Sequence, residues 1–164
     1  MPRFEKGDLV YHSFYGTGII TSIQTLDLSG VERLYYVVEL AIGEVLMIPI
    51  EETEEARLHP LVSQDVIVDV LSATPEELAD DARQRREHIE GKVSGGDPKQ
   101  VAEALRDLIW REHTANLSNG DRKLMLNARK LLTNILVIQP DLDTQEAAQR
   151  LDAMLEQATL AWKA

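Results

Sequence analysis

Hydrophobic and polar positions change their period once along this chain. Between Gly7 and Ile50 the segments "DLVYH", "TGIITSIQTLDL", "VERLYYVVEL" and "EVLMIPI" are rich in Val, Ile, Thr and Tyr and are separated by glycine-bearing turns. That pattern predicts four or five short antiparallel strands. "LSG" at 28–30 and "AIG" at 41–43 read as hairpin turns, and Gly16 and Gly18 bracket Thr17. There a wall must bend sharply or a turn must take positive φ, which glycine does at little cost. A small, strongly bent barrel of the SH3 or Tudor kind is the expected closure, because it leaves few open edges.

After Pro60 the period becomes helical. Ser63 is placed to cap "QDVIVDVL", and Thr74-Pro75-Glu76-Glu77 combines a capping box with proline at a first helical position. A second helix is therefore predicted from there to about Val93, polar on most faces. Asp97-Pro98 opens the next helix, with Val101, Leu105, Leu108 and Ile109 on one face. Ser118–Asp121 and Asp143–Glu146 are two further capping boxes, ahead of "RKLMLNARKLLTNILVI" and "AAQRLDAMLEQATLAW". Amphipathic helices joined by short loops pack as an antiparallel bundle. The fold class is thus α+β: a small Tudor/SH3-like β-barrel over residues 1–60, followed by a compact all-helical domain over 61–164.

Charge sharpens this division. The 164 residues carry a formal net charge of −11, which argues against non-specific coating of nucleic acid. The charge is uneven: residues 1–62 hold 4 Lys/Arg against 10 Asp/Glu, residues 83–130 hold 11 against 7, and residues 131–164 hold 2 against 5. With no cysteine, a disulfide framework, a thiolate metal site and a thiol nucleophile are excluded. "MPRFEKGD" has no apolar leader core and no stretch is long and apolar enough to span a membrane, so a cytoplasmic protein is expected.

Chemistry-bearing constellations are absent. His12, His59, His88 and His113 are scattered, and none stands in a metal-ligand spacing with another histidine or a paired carboxylate. "SGGD" at 94–97 lacks the strand and the Lys-Ser/Thr ending of a phosphate loop. Asp80-Asp81 reads as a solvated helix face rather than an acid pair. Tyr11, Phe14, Tyr15, Tyr35 and Tyr36 would line a cage for a methylated cation only if they shared a face, and adjacent Tyr35 and Tyr36 point to opposite sides of a strand. One of that pair should pack the core while its neighbour decorates the outer face. Neither an enzyme, a cofactor nor a small-molecule substrate is indicated. Two basic clusters remain, Arg83/Arg85/Arg86 and Arg122/Lys123/Arg129/Lys130, which suit a few phosphate contacts if another domain delivers the protein to DNA.

The segments "GDLVYHSFYGTGIITSI", "YYVVEL", "MIPIE", "GDPKQVAEALRDLIWRE" and "LSNGDRKLMLNARKLL" together resemble the CarD/CdnL family of bacterial transcription regulators across essentially the whole chain. The N-terminal part also resembles the RNA polymerase-interacting domain of transcription-repair coupling factor. The resemblance implies a Tudor-like domain that pairs with the RNA polymerase β subunit. It also implies a helical domain near the upstream edge of the promoter bubble, where it stabilises melted DNA without cofactor or chemistry. Mapped residue by residue, Leu26, Arg33, Tyr36 and Met47 fall on the polymerase-binding part, and Ala82, Arg83, Arg85, Arg86, Arg122 and Lys123 on the DNA-facing part. Arg85 and Arg122 match basic positions of the family. Leu26 and Met47 stand where arginines are usual, and Ala82 stands where a wedge tryptophan is usual; Trp110 lies in a later helix. Tethering by polymerase would allow weak DNA contact. The alternative is a polymerase-binding interaction module without effective DNA contact.

Overall fold

The structure, a computed structural model, describes residues 3–12, 14–52, 58–137 and 143–162. The chain divides into two compact units, Met1–Leu61 and Val62–Ala164. The first contains β1 (Leu9–His12), β2 (Gly16–Leu28), β3 (Val31–Leu40), β4 (Val45–Pro49) and β5 (Leu58–Pro60), with a 3-10 turn at Ile50–Glu52. The second contains α1 (Gln64–Ser72), α2 (Ala82–Ser94), α3 (Pro98–Thr114), α4 (Asn119–Val137) and α5 (Thr144–Trp162). Ile138, expected at the end of α4, lies outside the described residues.

The strands form one antiparallel sheet in the order β4-β3-β2-β1-β5. This corrects the expected closed barrel: among the described residues β4 and β5 do not pair, so the sheet is open. The reason lies in β5, which has three residues and uses them on β1 through the pairs Val10–Pro60, Tyr11–His59 and His12–Leu58. Among the described residues its other side meets no strand. β2 is central in its first half and pairs on one side only in its second: Gly16–Ile19 pairs with β1, and both Gly18–Ile20 and Ser22–Leu28 pair with β3. Between these stretches a bulge falls at Thr21, whose Oγ1 donates to the Val37 carbonyl at 3.2 Å. A bulge bends and twists a strand locally. One face buries Phe4, Val10, Ile20, Tyr36, Val38, Leu40, Ile48 and Leu58.

The two glycines around Thr17 serve different needs. Gly16 sits at φ +82°, in the left-handed region that a side chain disfavours. Gly18 has an ordinary φ, but a Cβ there would lie 2.8 Å from the Glu39 carbonyl oxygen and 2.9 Å from Val38 Cγ1. It permits close approach of β2 to β3.

In the helical unit, four starts follow their caps. Ser63 Oγ accepts from Val66 N, Asp97 Oδ1 from Lys99 N and Asp143 Oδ1 from Glu146 N. Ser118 and Asp121 form a reciprocal box at 2.9 and 3.1 Å. α3 packs against α1, α2 and α4, and α5 packs against α1 and α4. Leu105, Leu108, Leu132, Leu136 and Leu151 are essentially inaccessible at the centre. Each such side chain contributes roughly 1.5–3 kcal/mol relative to exposure.

The second predicted helix is shorter than its sequence suggests. It starts at Ala82, capped by Asp81, whereas residues 74–80 run without helix. Side chains from two helices take the backbone groups that this segment would otherwise use internally. Asp107 Oδ1 accepts from Glu76 N at 3.0 Å, Arg111 donates to the Leu78 carbonyl at 3.5 Å, and Arg85 donates to the carbonyls of Ala79 and Asp80 at 2.9 and 3.1 Å. Tertiary partners thus replace the local capping box.

Candidate functional site

On the sheet unit, the side opposite the core is the surface on which the sequence placed its candidates. Register fixes membership: Leu26 lies opposite Arg33, Leu28 opposite Val31, and Met47 opposite Val37. Leu28, Val31 and Met47 are 57%, 53% and 41% exposed. Arg33 is exposed and meets Glu52 at 3.4 Å, a surface pair of small energetic weight. β4 ends the strand order, so one side of its backbone ladder has no strand against it among the described residues.

Tyr36 does not belong to this surface, and that expectation is corrected. It is fully buried on the core face, packs edge-on against Phe4 at 5.5 Å, and accepts hydrogen bonds at its hydroxyl from Arg3 N and Phe4 N at 2.6 and 3.0 Å. A buried phenol so engaged is a structural anchor. Tyr35 lies on the other side of the strand, opposite Gln24 and Pro49, but it too is buried, at 8% exposure, so neither tyrosine decorates the surface. The signal was in the sequence: Arg33 and Tyr35 differ by two positions and share a face, whereas Arg33 and Tyr36 do not.

On the helical unit, the first turns of α2 and α4 are held together by a buried ion pair. Arg85 Nη2 and Nε lie 2.8 and 3.0 Å from Asp121 Oδ2, with both side chains nearly inaccessible. The same carboxylate oxygen accepts from Ser118 N. Burial pushes the Asp121 carboxyl up, but hydrogen bonds from Arg85 and Ser118 and the guanidinium charge outweigh it and hold the carboxyl below its usual value. This corrects the expectation for Arg85. Its donors point inward to Asp121 and to the 79–80 carbonyls, so no phosphate at the surface can use them.

The other basic residues are presented outward. Arg83 is exposed beside Glu87 at 3.3 Å. Arg86, Arg122 and Lys123 are exposed, and Arg86 Nε lies 3.5 Å from where a Cβ would stand on Gly120, which places this guanidinium over the first turn of α4. Ala82 is exposed at the start of α2. Two helix N-termini, whose dipoles are positive, and exposed cations from both helices therefore share one side of the bundle. The partner Asp121 was not legible from spacing, since 36 residues separate it from Arg85.

Other candidate features have structural employment. Asp81 caps α2 through Gln84 N, and Asp80 meets Arg111 at 3.5 Å. Trp110 packs edge-on against Trp162, whose Nε1 donates to the Leu71 carbonyl. A cleft of about 400 Å³ between α4 and α5 is bordered by Arg129 and Asp152, which pair with each other at 2.8 Å. Among the described residues no group of three or more histidine or carboxylate side chains is assembled to hold a metal, and no helix is long and apolar enough to cross a membrane.

Comparison with known proteins covers both units in order. Residues 4–62 match the CarD-like/TRCF RID domain, and residues 66–152 match the CarD C-terminal domain. The chain is similar to the "Putative transcription factor YdeB" of Bacillus subtilis (strain 168), with 23% identity over 139 residues that span 82% of this chain and 91% of that protein. These relatives point to a transcription factor rather than an enzyme.

Proposed function

This chain belongs to the CarD/CdnL family of transcription regulators, and from that premise we propose how its two units divide the work. The sheet unit docks on the β subunit of bacterial RNA polymerase in the cytoplasm. The helical unit then makes a few weak contacts to promoter DNA and stabilises the open complex. The observation that carries this reading is the succession of the two matched domains along one chain, the first shared with a transcription-repair coupling factor domain.

Docking uses the outer side of β2–β3–β4 around Leu26, Arg33 and Met47, with the edge of β4 that meets no strand among the described residues available to extend a sheet. Backbone pairing needs no particular side chain, so apolar Leu26 and Met47 can replace arginines there. DNA contact falls to Arg83, Arg86, Arg122 and Lys123, with Arg85 holding their framework. A pull-down on the isolated polymerase β lobe tests the first half. Leu26→Asp/Met47→Asp should cut retention at least tenfold while circular dichroism is unchanged, and undiminished retention would remove the docking site from this face. Open-complex lifetime on a single promoter tests the second half.

A second reading is favoured by one residue. Ala82 offers only a methyl group at the exposed start of α2, where the family uses an aromatic ring. On that reading the protein binds polymerase but has no effective grip on DNA. Lifetime measurements with and without the protein separate the two.

A further inference from the structure

We propose that the end of the sheet carrying the β1–β2 and β3–β4 turns is a second docking surface. Its occupant is a protein segment that presents apolar side chains flanked by lysine or arginine.

Pairing places Leu9, Ile19, Glu39 and Val45 in one row across four strands, on the side opposite the core. Leu9, Ile19 and Val45 are 48%, 37% and 63% exposed. The adjoining turns add Phe14 and Tyr15 at 73% and 44% and Ile42 at 65%. Large apolar side chains scattered singly on a surface need no explanation, but six gathered at one end of a small sheet mark an interaction site.

The turns are built to hold their residues still. Buried His12 accepts at Nδ1 from the backbone N–H of Phe14 and of Tyr15, at 3.1 and 3.3 Å, and its ring lies 4.8 Å from that of Tyr15. The second turn is tied to β2 by a hydrogen bond from Ala41 N to the Thr17 carbonyl at 2.9 Å. Apolar groups on a fixed backbone lose little freedom when covered, so binding retains more of their burial energy.

Charge selects the occupant. Glu39 stands within the row, Glu44 lies in the β3–β4 turn, and both are exposed. Residues 1–62 carry 10 acidic against 4 basic side chains. DNA would be repelled, and a second copy of this chain docking through the same face would bring acidic borders against acidic borders. A segment with apolar anchors and neighbouring cations satisfies the whole surface.

This surface is centred away from Leu26 and borders the polymerase-facing candidates only at β4, where Val45 and Met47 stand two residues apart on one side. Five cross-strand pairs lie between Ile19–Glu39 and Leu26–Arg33, a span of about 20 Å at the usual strand rise, and the bulge at Thr21 bends β2 between them.

The test replaces Ile42, exposed in its turn, by p-benzoylphenylalanine in the full chain and irradiates producing cells. The adduct is mapped by mass spectrometry, and the mapped segment is synthesised for titration against purified full-length variants. The expected result is a protein segment with apolar residues next to Lys or Arg. Its affinity should fall at least tenfold with Glu39→Lys and hold with Leu26→Asp, circular dichroism showing both variants folded. An adduct on DNA, an adduct on another copy of this chain, or no adduct overturns the proposal. Equal affinity for Glu39→Lys also overturns it, as does a loss with Leu26→Asp, which would merge this surface with the polymerase face. An adduct on the polymerase β lobe also overturns it, since Met47 of the polymerase face borders this surface.

Discussion

At the scale of single residues, the Arg85–Asp121 pair shows a charge turned inward to hold two helix starts together. Removing one partner of a buried pair strands the other charge, so Asp121→Ala should lower stability by about 3–5 kcal/mol, read as a shift in the urea midpoint. Because folding lowers the Asp121 carboxyl pKa, the contribution is complete above the usual value of 3.8 and is lost as pH falls below it. Acid unfolding of Asp121→Ala should therefore show a shallower dependence on pH in that window than the parent chain. Ala82 carries the opposite lesson, since its exposure lets a larger side chain be installed without repacking. A ring stacked on a base contributes roughly 1–3 kcal/mol, so Ala82→Trp should lengthen the open-complex half-life about tenfold. No gain would mean that α2 does not present this residue to DNA.

At the scale of elements, helix α2 is defined by what its neighbours take from the segment before it. Only Arg85, Ile89 and Val93 of α2 are buried, a stripe at four-residue spacing on an otherwise polar helix. So narrow a face holds α2 weakly by burial alone, and the hydrogen-bonded segment 74–80 compensates by fixing where the helix begins. Asp107 is central to that segment, accepting from Glu76 N and from Arg106 Nε at 3.0 and 2.8 Å. Asp107→Ala should cost about 3–5 kcal/mol and should accelerate hydrogen exchange at the Glu76 amide more than at Ile89. Exchange at Glu76 that is unchanged relative to Ile89 would show that the segment is held by other contacts.

At the scale of the whole molecule, a net charge of −11 coexists with outward cations on the first turns of α2 and α4. Net negative charge of this size weakens free binding to phosphates, so the proposed promoter contact rests on delivery by a partner. Reversing Arg86, Arg122 and Lys123 to glutamate should shorten the open complex and flatten its salt dependence while leaving retention on the β lobe intact. Each lost phosphate contact removes about 0.9 from the logarithmic salt slope, so a drop of about 2–3 is the expected scale. Equal slopes for parent and variant would make these cations solvated surface.

What the sequence determined by itself was local. Strand and helix periods, the caps at Ser63, Asp97, Ser118 and Asp143, and the hairpin at Ser29-Gly30 depend on residues a few positions apart, and each appears in the structure. Alternation also settled that Tyr35 and Tyr36 part company, although which of them faced inward depended on what lay beneath. Tertiary structure decided everything that joins distant residues. The sheet stays open because three-residue β5 spends its ladder on β1, α2 begins late because Asp107 and Arg111 reach back to residues 76 and 78, and Arg85 turns inward because Asp121 awaits it. In each case a long-range partner competes with solvent or with a local hydrogen bond, and no short window of sequence contains both competitors.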